Sequence, residues 1–365
     1  MTCLQSGWPE PVVRVQSLAE GGITAIPERY IKPANDRPIL INHNDNNLNL
    51  NNNNIPVIDL QHVYSNNKVL RDETLIRVSD ACRNWGFFQV VNHGVSHELM
   101  SRMREVWRGF FNLPLEMKQE LANNPSTYEG YGSRLGVEKG AILDWSDYFF
   151  LNYLPLHLRN PNKWPTLPTS CRDLVAEYGN EVVKLCGRLM KILSLNLGLG
   201  EDQLQNAFGG ENIGATMRAN FYPKCPQPDL TLGLSSHSDP GGITLLLPDE
   251  NVAGLQVRRA DGSWVTVKPV PNAFIVNIGD QIQVLSNAIF KSVEHRVIVN
   301  SSKERVSLAF FYNPKSDILI EPIKDLVTED RPALYQPMTY DQYRLYIRIK
   351  GPSGKKQVES LMSST

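Results

Sequence analysis

No stretch of the 365-residue chain approaches the roughly 20 consecutive apolar residues of a membrane span. The first residues, MTCLQSGWPEP, lack the basic region and apolar run of a secretory signal. Neither charge sign is in excess, with 37 Lys and Arg against 38 Asp and Glu. That balance gives no field for nucleic acid or an anionic membrane surface, so a small molecule is the expected partner. Cysteine is scarce: Cys3, Cys82, Cys171, Cys186 and Cys225 are odd in number, scattered and without a CxxC. This argues against a disulfide framework or a thiolate metal site and fits a reducing, cytoplasmic location. Cys82 and Cys186 fall in helical apolar patterns, the setting of a buried inert thiol. HExxH, GxSxG, a Walker A loop and GxGxxG are all absent, which removes the local signatures of zinc peptidases, serine hydrolases and nucleotide-binding enzymes.

What is present divides the chain into four stretches. Residues 1–54 read as a segment wrapping the body, with short apolar patches (VVRVQSLAE, IPERYIKP) and an asparagine tract, NHNDNNLNLNNNN, expected to be a flexible loop. Residues 55–200 read as an α/β region. IPVIDL is a short strand, and a helix over 72–84 follows with Leu75, Ile76, Val78, Ala81 and Cys82 on its apolar side. FFQVVNH is a second strand, a helical pattern covers 96–122, and the glycine-rich piece 128–134 (YEGYGSR) reads as a loop able to approach a ligand. Residues 144–151 form a strand on which Tyr148 and Phe150 share a face. The longest helix is expected over 172–197, with Tyr178, Val182, Leu185, Leu189, Ile192 and Leu193 as its core stripe and Gly198 at its end.

From residue 201 to 330 the pattern changes. ATMRANFY, TLGLSSHS, GITLLLP, LQVRRA, SWVTVKP, AFIVNIG, KSVEHRVIVN and RVSLAFFYN alternate with Pro, Gly and Asn turns. Eight such runs without long helices predict an antiparallel barrel or a double-sheet jelly roll. Residues 331–365 hold a final helix in MTYDQYRLYIRIK and a polar tail.

This barrel can carry a metal. His237 and Asp239 are two residues apart, so on a strand they point the same way, and His295 lies on a later strand. Two imidazoles and one carboxylate suit a mononuclear Fe(II) site with open positions. A 2-oxo acid can occupy two of those positions and dioxygen the third. Arg305 offers a planar fork for its far carboxylate, Ser307 and Tyr222 offer hydroxyls, and Asn220 can add a bond near the metal. Arg218, Asn220 and Tyr222 share one strand face, which is costly to bury unless it lines a polar cavity. Zinc hydrolysis is the nearest rival, but His-x-Asp on a strand differs from two histidines on a helix turn. His93 ends a strand with no nearby carboxylate and reads as structural.

IPVIDL, WGFFQVVNHGV, NFYPKCPQP, HSDPGGITLLL, IVNIGD and VEHRVIVN…ERVSLAFF resemble the plant iron- and 2-oxoglutarate-dependent dioxygenases over essentially the whole chain after residue 55. The resemblance implies a double-stranded β-helix, a jelly-roll variant, flanked by helices. It implies His237, Asp239 and His295 as iron ligands, with Asn220, Tyr222, Arg305 and Ser307 as 2-oxoglutarate contacts. Dioxygen would be co-substrate and ascorbate the reductant. WPEPVVRVQSLAE, PERYIKP, TYEGYGSRLGVEKGAILDWSDYFFL, GGENIGA and DQYRLYIR resemble more narrowly the jasmonate-induced oxygenases, which hydroxylate jasmonic acid at C12. By that resemblance Arg218, Arg344 and Arg348 would hold the jasmonate carboxylate, with aromatic walls from Tyr148, Phe150, Phe311 and Tyr340. Arg344 and Arg348 are spaced i, i+4 and would share one helix face. A monomer is expected. Flavonoid or gibberellin oxidation on the same chemistry, and a non-catalytic binding protein that kept the barrel, are the competing readings.

Overall fold

The computed structural model describes residues 13–38, 54–123, 128–133, 141–350 and 355–362. The asparagine tract, apart from Asn54, lies outside them, as does Arg134. Helix α1 (Val15–Glu20) opens the described chain. Strand β1 (Val57–Asp59) runs parallel to β2 (Phe87–Val91), with α2 (Lys68–Asn84) as the crossover.

Helix α2 starts four residues before the apolar pattern does. Asn67 caps it, its Oδ1 accepting from the Val69 and Leu70 amides at 3.0 and 3.4 Å. Its buried stripe is also rotated: Thr74 is 6 % exposed and Ile76 is 58 %. The Thr74 hydroxyl donates to the Leu70 carbonyl at 2.8 Å, so burial leaves it satisfied.

The helical pattern over 96–122 is broken into α3 (His97–Phe111) and α4 (Leu115–Gln119). Pro114 between them cannot donate a helical hydrogen bond. The glycine-rich piece is not a ligand-facing loop where it is described. Gly130–Gly132 is an edge strand, β3, paired with β4 (Asp147–Leu154) through Gly130 opposite Phe150 and Gly132 opposite Tyr148. A Cβ on Gly132 would lie 2.7 Å from the Tyr148 hydroxyl, so its missing side chain makes room for that phenol. Helix α5 (Cys171–Asn196) buries the whole stripe from Tyr178 to Leu193 and is followed by the short α6 (Gln203–Ala207).

All eight predicted β segments form strands: β5 (Gly214–Tyr222), β6 (Leu234–His237), β7 (Ile243–Leu247), β8 (Leu255–Arg258), β9 (Trp264–Thr266), β10 (Phe274–Ile278), β11 (His295–Val297) and β12 (Arg305–Asn313). The short α7 (Asp280–Leu285) follows β10, and α8 (Tyr340–Lys350) lies near the C-terminus.

The larger sheet has the order β1-β2-β10-β7-β12-β5-β4-β3, and the smaller one β6-β11-β8-β9. This is the double-sheet jelly roll with helical cover. Alternation sorts the larger sheet into two faces. Phe88, Val276, Leu245, Leu308, Phe310, Met217 and Phe149 belong to the main apolar core with α2, α3 and α5. The opposite face carries the polar residues singled out above and looks toward the smaller sheet. No helix among the described residues is long and apolar enough to cross a membrane.

Candidate metal and co-substrate site

The antiparallel register of β6 and β11 sets His295 opposite His237, with ring centroids 4.3 Å apart. Asp239 lies past the end of β6, so a turn rather than strand alternation brings it to the same point. Its Oδ1 is 3.6 Å from His237 Nε2 and 3.7 Å from His295 Nε2. One donor atom from each of the three residues lies within 4.8 Å of the others.

The surroundings aim those atoms. His237 Nδ1 donates to the Ser235 carbonyl at 2.8 Å and His295 Nδ1 to the Val293 carbonyl at 3.2 Å. A carbonyl only accepts, so the proton sits on Nδ1 and both Nε2 lone pairs face inward. On Asp239, Oδ2 accepts from Thr244 Oγ1 at 2.6 Å and Asn277 Nδ2 at 2.8 Å, leaving Oδ1 for the centre.

Charge follows the same plan. Burial, with His237 beside it, pushes His295 down to about 4, so its imidazole is neutral. Burial alone would raise Asp239, but the two imidazoles and the Thr244 hydroxyl hold it well below the usual carboxylate range. For His237, burial opposes the charged form and the Asp239 contact outweighs it, so its pKa is raised. An ionised carboxylate and inward lone pairs on nitrogen fit a borderline divalent cation.

Next to the triad, β5 and β12 pair in continuous register. Arg305 lies opposite Tyr222, Ser307 opposite Asn220, and Ala309 opposite Arg218. Directly opposed residues share a face, so all of these line one cavity with His237, Asp239 and His295. The cavity opens to solvent, and the space in it and at its mouth together comes to about 510 Å³. Arg305 Nη1 donates to Ser307 Oγ at 3.1 Å and its guanidinium lies 5.1 Å from the Tyr222 ring centroid. Arg218 lies over the Tyr148 ring at 4.6 Å. Among the described residues lining the cavity the carboxylate is Asp239, which faces the two histidines, and the Nε of each arginine is buried without a hydrogen bond.

The remaining predicted residues divide. Phe311 lines the cavity. Tyr148 and Phe150 sit on the cavity-facing side of the sheet, registered opposite Asn220 and Arg218. Tyr148 is 1 % exposed, lies behind Arg218 and accepts from Asn123 Nδ2 at 2.9 Å. Tyr340 is buried at the start of α8, outside the cavity lining. Arg344 stands on α8 beside Tyr340. Its side chain is 43 % exposed, 3.7 Å from Asp341, and its guanidinium lies 5.6 Å from the Tyr340 ring centroid. Arg348 is on the same helix, and its side chain lies outside the described part. His93 is buried between the Asn272 carbonyl at 3.0 Å and the Val95 amide at 3.1 Å, a structural setting.

Three groups had no place in the sequence reading. Thr244 and Asn277 hold Asp239, and each is a polar residue inside an apolar strand, ITLLL and FIVNI. That interruption was the available signal. Asp280, in IVNIGD, is fully buried. Its amide donates to the Asp239 carbonyl at 2.8 Å, and its Oδ2 accepts from Tyr343 at 2.7 Å and Ser238 at 3.2 Å. It thereby joins α8 to the turn that carries Asp239.

Comparison with known proteins agrees with this geometry. Residues 213–314 match the 2OG-Fe(II) oxygenase superfamily, and residues 55–167 match the N-terminal region of non-haem dioxygenases in morphine synthesis. The chain belongs to the 2OG-Fe(II) oxygenase superfamily and is a 2-oxoglutarate- and iron-dependent dioxygenase. It is 62 % identical to jasmonate-induced oxygenase 2 of Arabidopsis thaliana over 356 residues, 98 % of this chain and 94 % of that protein. It is 39 % identical to leucoanthocyanidin dioxygenase of Malus domestica over 337 residues, 90 % of this chain and 93 % of that protein. The crystal structure of JOX2 in complex with 2OG, Fe and JA matches with a TM-score of 0.89 and 62 % identity, covering 98 % of this chain and 99 % of that one.

Proposed function

We propose that the protein hydroxylates jasmonic acid at C12, with 2-oxoglutarate and dioxygen consumed and succinate and carbon dioxide released, so that jasmonate hormone signalling falls. The observation that carries this reading is the pair of guanidiniums in one cavity. Arg305 and Arg218 both face it with no carboxylate partner among the described residues, Arg305 buried and Arg218 partly so, and withdrawing a cation from water unpaired is costly. Two anions relieve that cost. One is the far carboxylate of 2-oxoglutarate and the other a carboxylate on the substrate. A relative 62 % identical that was crystallised with 2OG, Fe and JA supports the assignment.

In this reading His237, Asp239 and His295 would hold the iron, their Nε2, Oδ1 and Nε2 atoms being the ones left facing the centre. Bound iron and 2-oxoglutarate together supply oxidative decarboxylation and the activation of dioxygen toward an unactivated C–H bond. Arg305 grips the far carboxylate of 2-oxoglutarate, and Ser307 and Tyr222 complete its contacts from the same sheet face. Asn220, on the same cavity face, would donate to the co-substrate end beside the metal. Arg218, held over Tyr148, receives the jasmonate carboxylate and fixes which end of an otherwise apolar acid points away from the metal. Phe311 and Phe87 provide apolar wall and exclude water.

Incubation with jasmonic acid, its isoleucine conjugate and a flavonoid, each with iron and 2-oxoglutarate, tests the proposal by mass spectrometry. The expected result is one added oxygen on jasmonic acid with matching succinate. Turnover of the flavonoid, which has no carboxylate, with none of jasmonic acid would overturn it.

A further inference from the structure

His237 sits on a strand that is poorly held by its own sheet. β6 has four residues, none fully buried, and it is the edge of the four-stranded sheet. Its pairing with β11 consists of two registered pairs with a shift between them. His295 is better placed, because β11 is flanked by β6 on one side and β8 on the other.

Bracing for β6 comes from a segment that precedes both family matches. In IPERYIKP, Lys32 is 4 % exposed. Its Nζ lies 2.8 Å from Asp144 Oδ1 and 3.0 Å from Ser235 Oγ. Ser235 Oγ in turn donates to the same Asp144 oxygen at 2.6 Å. Ser235 belongs to β6, and its main-chain carbonyl is the acceptor that orients His237 Nδ1. A buried ammonium is retained only where it is paired, and here its partners form a closed triangle ending on the metal-ligand strand.

A second, apolar contact has the same direction. Val15, Ile26 and Tyr30 pack with Trp145, Val297 and Tyr222, the last a cavity residue. Tyr30 meets Trp145 edge to face at 5.2 Å. Main-chain bonds from Lys32 to the Leu230 carbonyl and from Leu143 to the Arg29 carbonyl hold the segment in place.

We propose that residues 13–38 are a working part of the metal and co-substrate site, with Lys32 as a positioning residue that fixes His237 through Asp144 and Ser235. This rests on His237 being a metal ligand. Loss of the ammonium leaves Asp144 with the Ser235 hydroxyl alone in this triangle, cuts the tie between the N-terminal segment and β6 and loosens the carbonyl that sets the imidazole.

The test is metal binding without substrate. Metal-free parent, Lys32→Met and Ser235→Ala proteins are titrated with Co(II), followed by its visible absorption, and hydrogen exchange is read on residues 234–237 and on α5. Outer partners of metal ligands are worth roughly 10- to 100-fold in affinity, so these more distant ones are expected to cost about 10-fold. Exchange should quicken in β6 and stay unchanged in α5. Ser235→Ala removes one hydroxyl, so it serves if Lys32→Met does not fold. Unchanged Co(II) affinity in the folded variants overturns the inference, and so does weaker binding with exchange raised equally in α5, which marks general destabilisation. Absence of Co(II) binding by the parent overturns the reading of the site itself.

Discussion

The β5–β12 pair and helix α8 both carry arginines assigned to anions, and the protein builds the two regions differently. In β5–β12 the register is unbroken from Arg305 opposite Tyr222 to Asn313 opposite Gly214. The pair lies inside an eight-stranded sheet, so each side chain is fixed by neighbours on both sides. On α8, Arg344 is 43 % exposed and is held by a nearby Asp341 and the Tyr340 ring. Exposed pairs of this kind contribute little. The lesson is that groups serving the common chemistry are locked into a sheet, whereas α8 stands at the periphery, tied to the centre through Tyr343 and Asp280.

The comparison can be broken first at the triad. His295→Ala should abolish product formation and Co(II) binding, a larger loss than the roughly 10- to 100-fold expected for any outer partner. Retained metal binding would mean that the register of β6 and β11 does not build a metal site.

Arg305→Ala should raise the KM for 2-oxoglutarate roughly 10- to 150-fold, because a hydrogen bond to a charged group is worth about 1.5–3 kcal/mol. Initial rates against 2-oxoglutarate at saturating jasmonic acid check this. Thr244→Val removes one of two donors to Asp239 Oδ2 and should weaken metal binding about 10-fold while leaving the fold intact.

The contrast between the two regions is sharpened by paired variants. Arg218→Ala should raise the KM for jasmonic acid about 10-fold and spare 2-oxoglutarate consumption without substrate. Arg344→Ala should change the KM for jasmonic acid by no more than about 3-fold, as for an exposed ion pair. The reverse order would move the substrate carboxylate from the sheet to the helix.

The smallest effect concerns how β12 is held. Asp249 is buried and accepts from the Val306 amide, the Asn251 amide and Arg108. Burial would raise its pKa, but those bonds outweigh it and hold the carboxyl below the usual range. A lowered folded-state pKa stabilises the fold above about pH 4 and loses that contribution as pH falls through the folded value. Asp249→Asn should therefore lower the Tm at pH 7, with the gap to the parent closing in acid.

Much of this was legible in the chain. All eight β segments, the α5 stripe and the cavity-facing set Arg218, Asn220, Tyr222, Arg305 and Ser307 follow from alternation and helical spacing, because those periods are properties of the backbone itself. The misplaced features have local causes that periodicity does not carry. Thr74 can take a buried place in α2 while Ile76 is exposed because its hydroxyl is satisfied within its own helix. Gly132 lies in a glycine-rich run of loop-like composition, yet it is a strand residue whose missing side chain leaves space for the Tyr148 phenol.

The amino-acid sequence by itself determined which residue types were available for iron and 2-oxoglutarate chemistry, and on which strand faces they would stand. Tertiary structure decided the rest. Asp239 reaches the two histidines through a turn held by Thr244, Asn277 and Asp280, from strands and a helix distant along the chain. Arg218 lines the cavity beside the triad, whereas Arg344 is half-exposed on α8 next to Asp341. Spacing fixes direction within one element, whereas distance between elements is set by how they pack, and coordination chemistry depends on that distance.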